Sequence, residues 1–279
     1  MAQALSGRPL ARKIREELFI ATTQLASQGI VPTLALVVAT KDEAANSYIQ
    51  LISKTAQTVG ISTKLVELGE QASQVILATE LIKLADDDTI HAIILQTPLP
   101  KHVDGDALRA LIPLQKDVDG ANPLSAGRLF CGLDSYVPAT AVAVMRLLDE
   151  YGVPLSGAHT VVVGRSRVVG KPLAHLLLNQ NATVTICHSK TQNLAQLTRQ
   201  ADVLVAAVGK AGLISGEHVK PGAIVIDVGT NISESGMVGD VHAQSVEKVA
   251  GGLSPVPGGV GPVTTAILLQ QTILAAKAK

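Results

Sequence analysis

One stretch of this 279-residue chain combines residue types suited to holding a phosphate group. In VVVGRSRVVGKP an apolar run leads straight into a glycine turn, and Gly170 and Pro172 open what reads as the next helix. Glycines there let the backbone approach a pyrophosphate closely, and the N–H groups of a helix N-terminus favour its charge. The run from Gly164 to Gly170 lacks the usual middle glycine, and a glycine turn after a strand serves equally well as punctuation. The following strand tips the balance, because it ends in CHSK where an NAD-binding protein carries an acid for the ribose hydroxyls. Arg165, Ser189 and Lys190 offer positive charge and a hydroxyl instead, which suits the 2′-phosphate of NADP. The competing reading is a set of ordinary solvated loop residues.

A second stretch, NSYIQLISKTAQTVGI, is amphipathic, with Tyr48 near its start and Lys54 in its second half. A lysine in a partly dry site can exchange protons near neutrality, so the face on which Lys54 stands matters. Spacing alone makes Tyr48 a half-buried helix aromatic. Cys131 and Cys187 have no metal-ligand spacing and are too few for a disulfide framework, which points to a reducing compartment and to no metal.

These residues need elements to hold them. TLALVVA (33–39), TKLVEL (63–68) and HAIILQT (91–97) read as buried parallel strands, separated by amphipathic helices around 43–59 and 73–86. Residues 98–138 turn rich in proline, glycine and aspartate, the composition of loops at a domain junction. HTVVVG (159–164), ATVTIC (182–187), DVLVAAVG (202–209) and AIVIDVG (223–229) form a second strand series with helices between, so a doubly wound α/β sheet is expected in each half. The chain is 47% hydrophobic, enough for a substantial core, and its 23 basic residues balance 23 acidic ones, so no nucleic-acid partner is implied. LSGRPLARKIREELF reads as a charged amphipathic helix rather than a signal peptide, and VTTAILLQQTILAAKAK as a buried helix rather than a membrane span. A cytoplasmic protein is expected.

The segments ALSGRPLARKIREEL, SYIQLISKTAQTVGI, QTPLPKHVD, KDVDGANPLSAGRL, VVVGRSRVVGKPLAHLL, TICHSKT, VIDVGTN, MVGDV and PVPGGVGPVTTAILLQQT occur in the order seen in the bifunctional methylenetetrahydrofolate dehydrogenase/cyclohydrolases. The chain resembles that family over nearly its whole length, most specifically in GRSRVVGKP, KDVDG and PVPGGVGP. The resemblance implies an α/β fold of two domains flanking a cleft. Residues 1–137 would form an N-terminal folate-binding domain on which the helix 262–279 packs back, and 138–261 a C-terminal Rossmann-like NADP-binding domain. It implies a homodimer. By position, Tyr48 resembles the tyrosine that packs on the aminobenzoate ring, Gln96 the glutamine near the reacting end of the substrate, and Asp119 the aspartate that accepts hydrogen bonds from the pterin. Without the resemblance, Gln96 could cap a loop and Asp119-Gly120 would be a turn. Gly258 and Gly259 match the loop beside folate and nicotinamide. Gly164, Arg165, Ser166, Gly170, His188, Ser189 and Thr230 form the implied cofactor set.

The family carries a catalytic lysine four residues after the tyrosine, and here that position is Ile52. Lys54 lies two residues further on, about 200° round the helix, and is expected to face solvent. PATAVA, with Ala139, Ala141 and Ala143, departs from the family's proline-cysteine-threonine-proline segment, and VATKDEAANSY reads as one residue longer than usual. The expected activity is therefore NADP-dependent oxidation of 5,10-methylenetetrahydrofolate, with cyclohydrolase activity weak or absent. The alternatives are the full bifunctional enzyme and a folate- and NADP-binding paralogue with little activity.

Overall fold

The structure, a computed structural model, describes residues 1–233 and 236–278. The chain opens with a two-residue strand β1 (Gln3–Ala4) and a long helix α1 (Arg8–Ser27). It divides into two compact units, one formed by Lys13–Ala139 with Thr265–Lys279, the other by Met1–Arg12 with Thr140–Thr264.

The first unit is built on β2 (Thr33–Val38), β3 (Ser62–Glu67) and β4 (Ala92–Leu95), a parallel sheet in the order β3-β2-β4. The aliphatic run of β2 is almost wholly buried because it pairs on both sides. Between these strands run α2 (Glu43–Thr58) and α3 (Gln74–Asp86). Each starts where a polar side chain takes up a first-turn N–H: Asp42 accepts from Ala45 and Ser73 from Ile76. Ala45, Ile49, Ile52 and Ala56 form the buried stripe of α2, at the helical spacing that keeps them on one face. Leu77, Leu81 and Leu84 of α3 join Ala35, Val37 and Ile93 in a core that extends to Leu108 and Ile112. Two short helices, α4 (Gly105–Ala110) and α5 (Pro123–Phe130), flank the loop that carries Asp119.

One expectation needs correcting. TKLVEL reads as a buried strand, yet β3 is mostly exposed, with Leu65 at 48%. It is the edge strand of its sheet and lacks the second neighbour that buries β2.

The second unit contains α6 (Ala139–Glu150, from its second residue), β5 (His159–Val163), α7 (Gly170–Asn179), β6 (Thr183–Cys187), α8 (Leu194–Thr198), β7 (Val203–Ala206), β8 (Ile224–Asp227), the hairpin strands β9 (Asn231–Ser233) and β10 (Gly236–Val238), α9 (Ala243–Val246) and β11 (Gly252–Leu253). The main sheet is parallel in the order β1-β11-β8-β7-β5-β6. From β5 the chain first steps outward to β6 and then returns past β5 to β7, so the winding reverses between β5 and β7. In open α/β sheets the ligand crevice lies at such a reversal, outside the carboxyl ends of the strands.

Residues 1–12, read from sequence with the first domain, belong to this second unit because β1 pairs with β11 and extends its sheet. The final helix, α10 (Val260–Lys277), contributes its residues from Thr265 onward to the first unit. There Gln271 Nε2 donates to the carbonyls of Val118 (2.6 Å) and Val137 (3.1 Å). Among the described residues no helix is long and apolar enough to cross a membrane.

Candidate active site

In the first unit the motif KDVDG is folded residue by residue into a platform. Lys116 is buried, and its ammonium donates to the carbonyls of Leu84 (3.2 Å), Ala85 (2.6 Å) and Asp87 (2.8 Å) at the C-terminus of α3. Asp117 is fully buried and accepts from the Ala121 and Asn122 N–H groups, both at 3.0 Å, and from the Ser125 hydroxyl at 2.6 Å. Burial raises its pKa while these donors lower it, and burial wins. Gly120 has φ +58°, and a β-carbon there would stand 2.7 Å from the Tyr136 carbonyl oxygen, so the turn after Asp119 requires glycine. Asp119-Gly120 is thus a turn, as its sequence reads, and one that presents a half-buried carboxyl.

Burial first, and then the charge of Asp117, push the Asp119 carboxyl up to about 7 against the opposing charge of Arg109. The Tyr48 phenol is also raised, first by burial and then by the Asp119 charge, which sets the two side chains within electrostatic reach of each other. The structure therefore brings Tyr48 and Asp119 together. Gln96 follows the end of β4, and its side-chain amide donates 2.6 Å to the Thr97 carbonyl. Asp117 and Arg109 carry no role in the sequence reading, yet both set the charge of Asp119. The only sequence signal for Asp117 is its place in KDVDG.

Ile52 is completely buried, one turn beyond Tyr48 on the core stripe of α2, whereas Lys54 is exposed. Ala139, Ala141 and Ala143 are buried as well. Among the described residues no group of three or more metal-ligating side chains is assembled.

In the second unit the glycine turn lies at the carboxyl end of β5. Gly164 has φ +136°, and a β-carbon there would run into the carbonyl oxygen of Ala207, just past β7, so this turn packs directly on the reversal point of the sheet. A β-carbon at Gly170 would strike the Gly164 carbonyl oxygen, which explains the glycine that opens α7. Ser166 Oγ accepts from the N–H groups of Val169 (3.2 Å) and Gly170 (3.3 Å), shaping that helix start from within. Arg165, Ser189 and Lys190 are exposed. His188 Nδ1 accepts from the Lys190 N–H at 3.1 Å, which assigns the ring proton to Nε2 and makes this histidine the organiser of the turn after β6. Thr230 follows β8, also at a carboxyl end. Six of the seven implied cofactor positions therefore sit on loops after β5, β6 and β8 of one sheet, and the seventh, Gly170, opens the helix that follows the β5 loop. Gly258, with φ +109°, and Gly259 belong to this second unit too, packed against Arg8 and Gly7, and are not in the unit that holds Tyr48 and Asp119.

Residues 5–119 match the catalytic-domain model of tetrahydrofolate dehydrogenase/cyclohydrolase, and residues 138–279 match its NAD(P)-binding domain. The chain belongs to the tetrahydrofolate dehydrogenase/cyclohydrolase family. It is 51% identical over 276 residues to bifunctional protein FolD 1 of Paenarthrobacter aurescens, covering 99% of this chain and 94% of that protein. The FolD methylenetetrahydrofolate dehydrogenase/cyclohydrolase of Campylobacter jejuni superposes with a TM-score of 0.97 at 40% identity, over 100% of this chain and 99% of that one. The Trypanosoma brucei dehydrogenase-cyclohydrolase, solved with NADP and an inhibitor, superposes at 0.95 with 38% identity, over 99% and 98%. Family membership confirms the two-domain α/β class, with a catalytic domain and an NAD(P)-binding domain. All three relatives are named for both activities or as bifunctional.

Proposed function

We propose that this family member is an NADP-dependent methylenetetrahydrofolate dehydrogenase of one-carbon metabolism. The observation that carries the cofactor assignment is the glycine turn seated at the sheet's reversal point beside a β6 end that bears Ser189 and Lys190 and no acid. The cradle fits the group: Gly164 and Gly170 permit close backbone approach, and Arg165 and Ser189 are exposed where a 2′-phosphate needs donors. When bound, NADP⁺ supplies the acceptor for a hydride from the methylene carbon of 5,10-methylenetetrahydrofolate, which leaves as the methenyl cation. That step loses no proton at carbon, so the chain's part is to position and to exclude water. Asp119 accepts hydrogen bonds from the pterin ring donors, Tyr48 packs on the aminobenzoate ring, and Gln96 faces the reacting end. Gly258 and Gly259 allow close backbone approach to the ligands. In purified protein mixed with methylenetetrahydrofolate and NADP⁺, methenyl absorbance or its onward product is expected, and no NADPH formation would sink the proposal.

Hydrolysis of the methenyl product separates two readings. Ile52 can neither donate nor accept a proton, and positioned acid–base groups contribute roughly 10²–10⁴-fold, so that much hydrolytic rate should be missing. The names of the relatives favour the full bifunctional enzyme instead, with Lys41 or Lys54 as the nearest replacements in sequence. Decay of supplied methenyltetrahydrofolate decides between them, comparing wild type with Ile52→Lys and with Ile52→Met as a packing control. If wild type hydrolyses at a rate the lysine does not improve, the bifunctional reading holds. A cytoplasmic homodimer completes the proposal. The exposed Ile232 and Met237 on the β9–β10 hairpin supply apolar surface for it, and sedimentation of the purified protein tests it.

A further inference from the structure

The loops after β7 and β8 are locked together by two buried aspartates. Asp240 is fully buried, and its Oδ2 accepts from the N–H groups of Val208 (2.6 Å) and Gly209 (3.0 Å). Its Oδ1 accepts from the Lys210 N–H (2.8 Å) and from Asn231 Nδ2 (2.9 Å). Three consecutive backbone donors thus converge on one carboxylate, the arrangement that elsewhere cradles a bound anion. The Asp240 N–H in turn donates to Asp227 Oδ1 at 2.9 Å, which also accepts from Gly229 at 2.9 Å, and Asp227 Oδ2 accepts from Val241 at 3.0 Å. The fit leaves no slack: a β-carbon at Gly229 would run into the Asp240 carboxyl, and one at Gly239 into that of Asp227.

What the latch holds is the ledge beside the glycine turn. Ala207, against which Gly164 packs, leads directly into the three residues bound by Asp240, and Gly229 and Asn231 flank Thr230 in the loop after β8. A dinucleotide laid across a sheet that reverses between β5 and β7 puts one half on the β5–β6 side, where Arg165 and Ser189 stand. Its other half then lies over the ends of β7 and β8.

We propose that Asp240 is a positioning residue for the nicotinamide half of the cofactor, fixing the loops after β7 and β8 without touching the ligand. The assignment rests on the NADP reading above. It predicts an asymmetry that general loss of stability does not produce. Replacing Asp240 with asparagine keeps the shape but turns one acceptor into a donor facing backbone N–H groups, so the ledge must open. The glycine turn and the β6 end have no bond to Asp240 among its contacts above.

The test is direct titration of wild type and Asp240→Asn with NADP⁺ and with adenosine 2′,5′-bisphosphate, which lacks the nicotinamide half. The expected result is NADP⁺ binding weakened about tenfold or more, as for a lost charge-assisted hydrogen bond, with the bisphosphate within about twofold of wild type. Unchanged NADP⁺ binding overturns the proposal, and so does equal weakening of both ligands. Asn231→Ala removes a single bond to the same carboxylate, and a loss of about threefold for NADP⁺ alone is expected there. If Asp240→Asn does not fold, this second variant decides. A wild type that binds neither nucleotide overturns the function proposed above, and this assignment with it.

Discussion

Asp119 titrates near neutrality because burial and the neighbouring Asp117 disfavour its charge more than Arg109 favours it. A pterin ring offers N–H donors, and a charged carboxylate accepts them more strongly than a neutral one. Folate affinity should therefore rise as pH increases from 6 to 8, and Asp119→Asn should bind weakly with a flat profile over that range. A wild-type KM for the folate that does not fall across this window would show that the carboxyl is not the pterin acceptor. Stability runs the opposite way. The folded pKa of about 7 lies above the ordinary 3.8, so the group's stabilising contribution is complete below about 4 and is lost as pH rises through 7. The melting temperature of Asp119→Asn relative to wild type should thus be higher at pH 8 than at pH 5. A site residue that costs stability when charged is the pattern expected where function rather than folding sets the side chain.

At the scale of elements, the Asp119 loop is held from outside by α3 through Lys116. That ammonium satisfies three carbonyls at a helix C-terminus, where positive charge is also favoured by the helix dipole. Lys116→Met keeps most of the buried stem but leaves those carbonyls without their charged donor, and should cost about 3 kcal/mol. A lowered urea midpoint with unchanged slope would register it, together with a raised folate KM. NADP⁺ affinity, proposed to rest on residues of the other unit, should stay within about twofold, a margin that reflects independent sites. This anchoring is hidden from the sequence, where Lys116 is only the first letter of KDVDG, because its partners on α3 lie about 30 positions upstream. The strands and helices themselves are legible, since their signals are local: aliphatic runs, helical spacing and capping residues such as Asp42 and Ser73. The edge position of β3 is not, because exposure depends on which strand pairs beside it. Likewise Ile52 can be flagged by its four-residue offset from Tyr48, but only the fold shows that it belongs to the core stripe of α2.

For the whole molecule, the division into two units places the residues proposed for folate, Tyr48, Gln96 and Asp119, in one and those proposed for NADP, the glycine turn and its neighbours, in the other. Binding to the folded state raises stability by mass action, about 2.7 kcal/mol when free ligand is one hundred times its dissociation constant. NADP⁺ at that level should raise the melting temperature of wild type clearly more than NAD⁺ at the same concentration, because only NADP⁺ brings a 2′-phosphate to Arg165 and Ser189. A charge-assisted hydrogen bond contributes roughly 1.5–3 kcal/mol. Arg165→Ala should therefore weaken NADP⁺ by about ten- to a hundredfold and leave NAD⁺ nearly unchanged. At the original NADP⁺ concentration the stabilisation then falls to below about 1.5 kcal/mol. Asp119→Asn should keep the full NADP⁺-induced shift, since its change lies in the other unit. Thermal melts of the three proteins, with each nucleotide and without, check all of this in one series. A folded Asp119→Asn that loses the NADP⁺ shift would overturn the assignment of the two ligands to separate units, and an Arg165→Ala that keeps it would remove this arginine from the 2′-phosphate site.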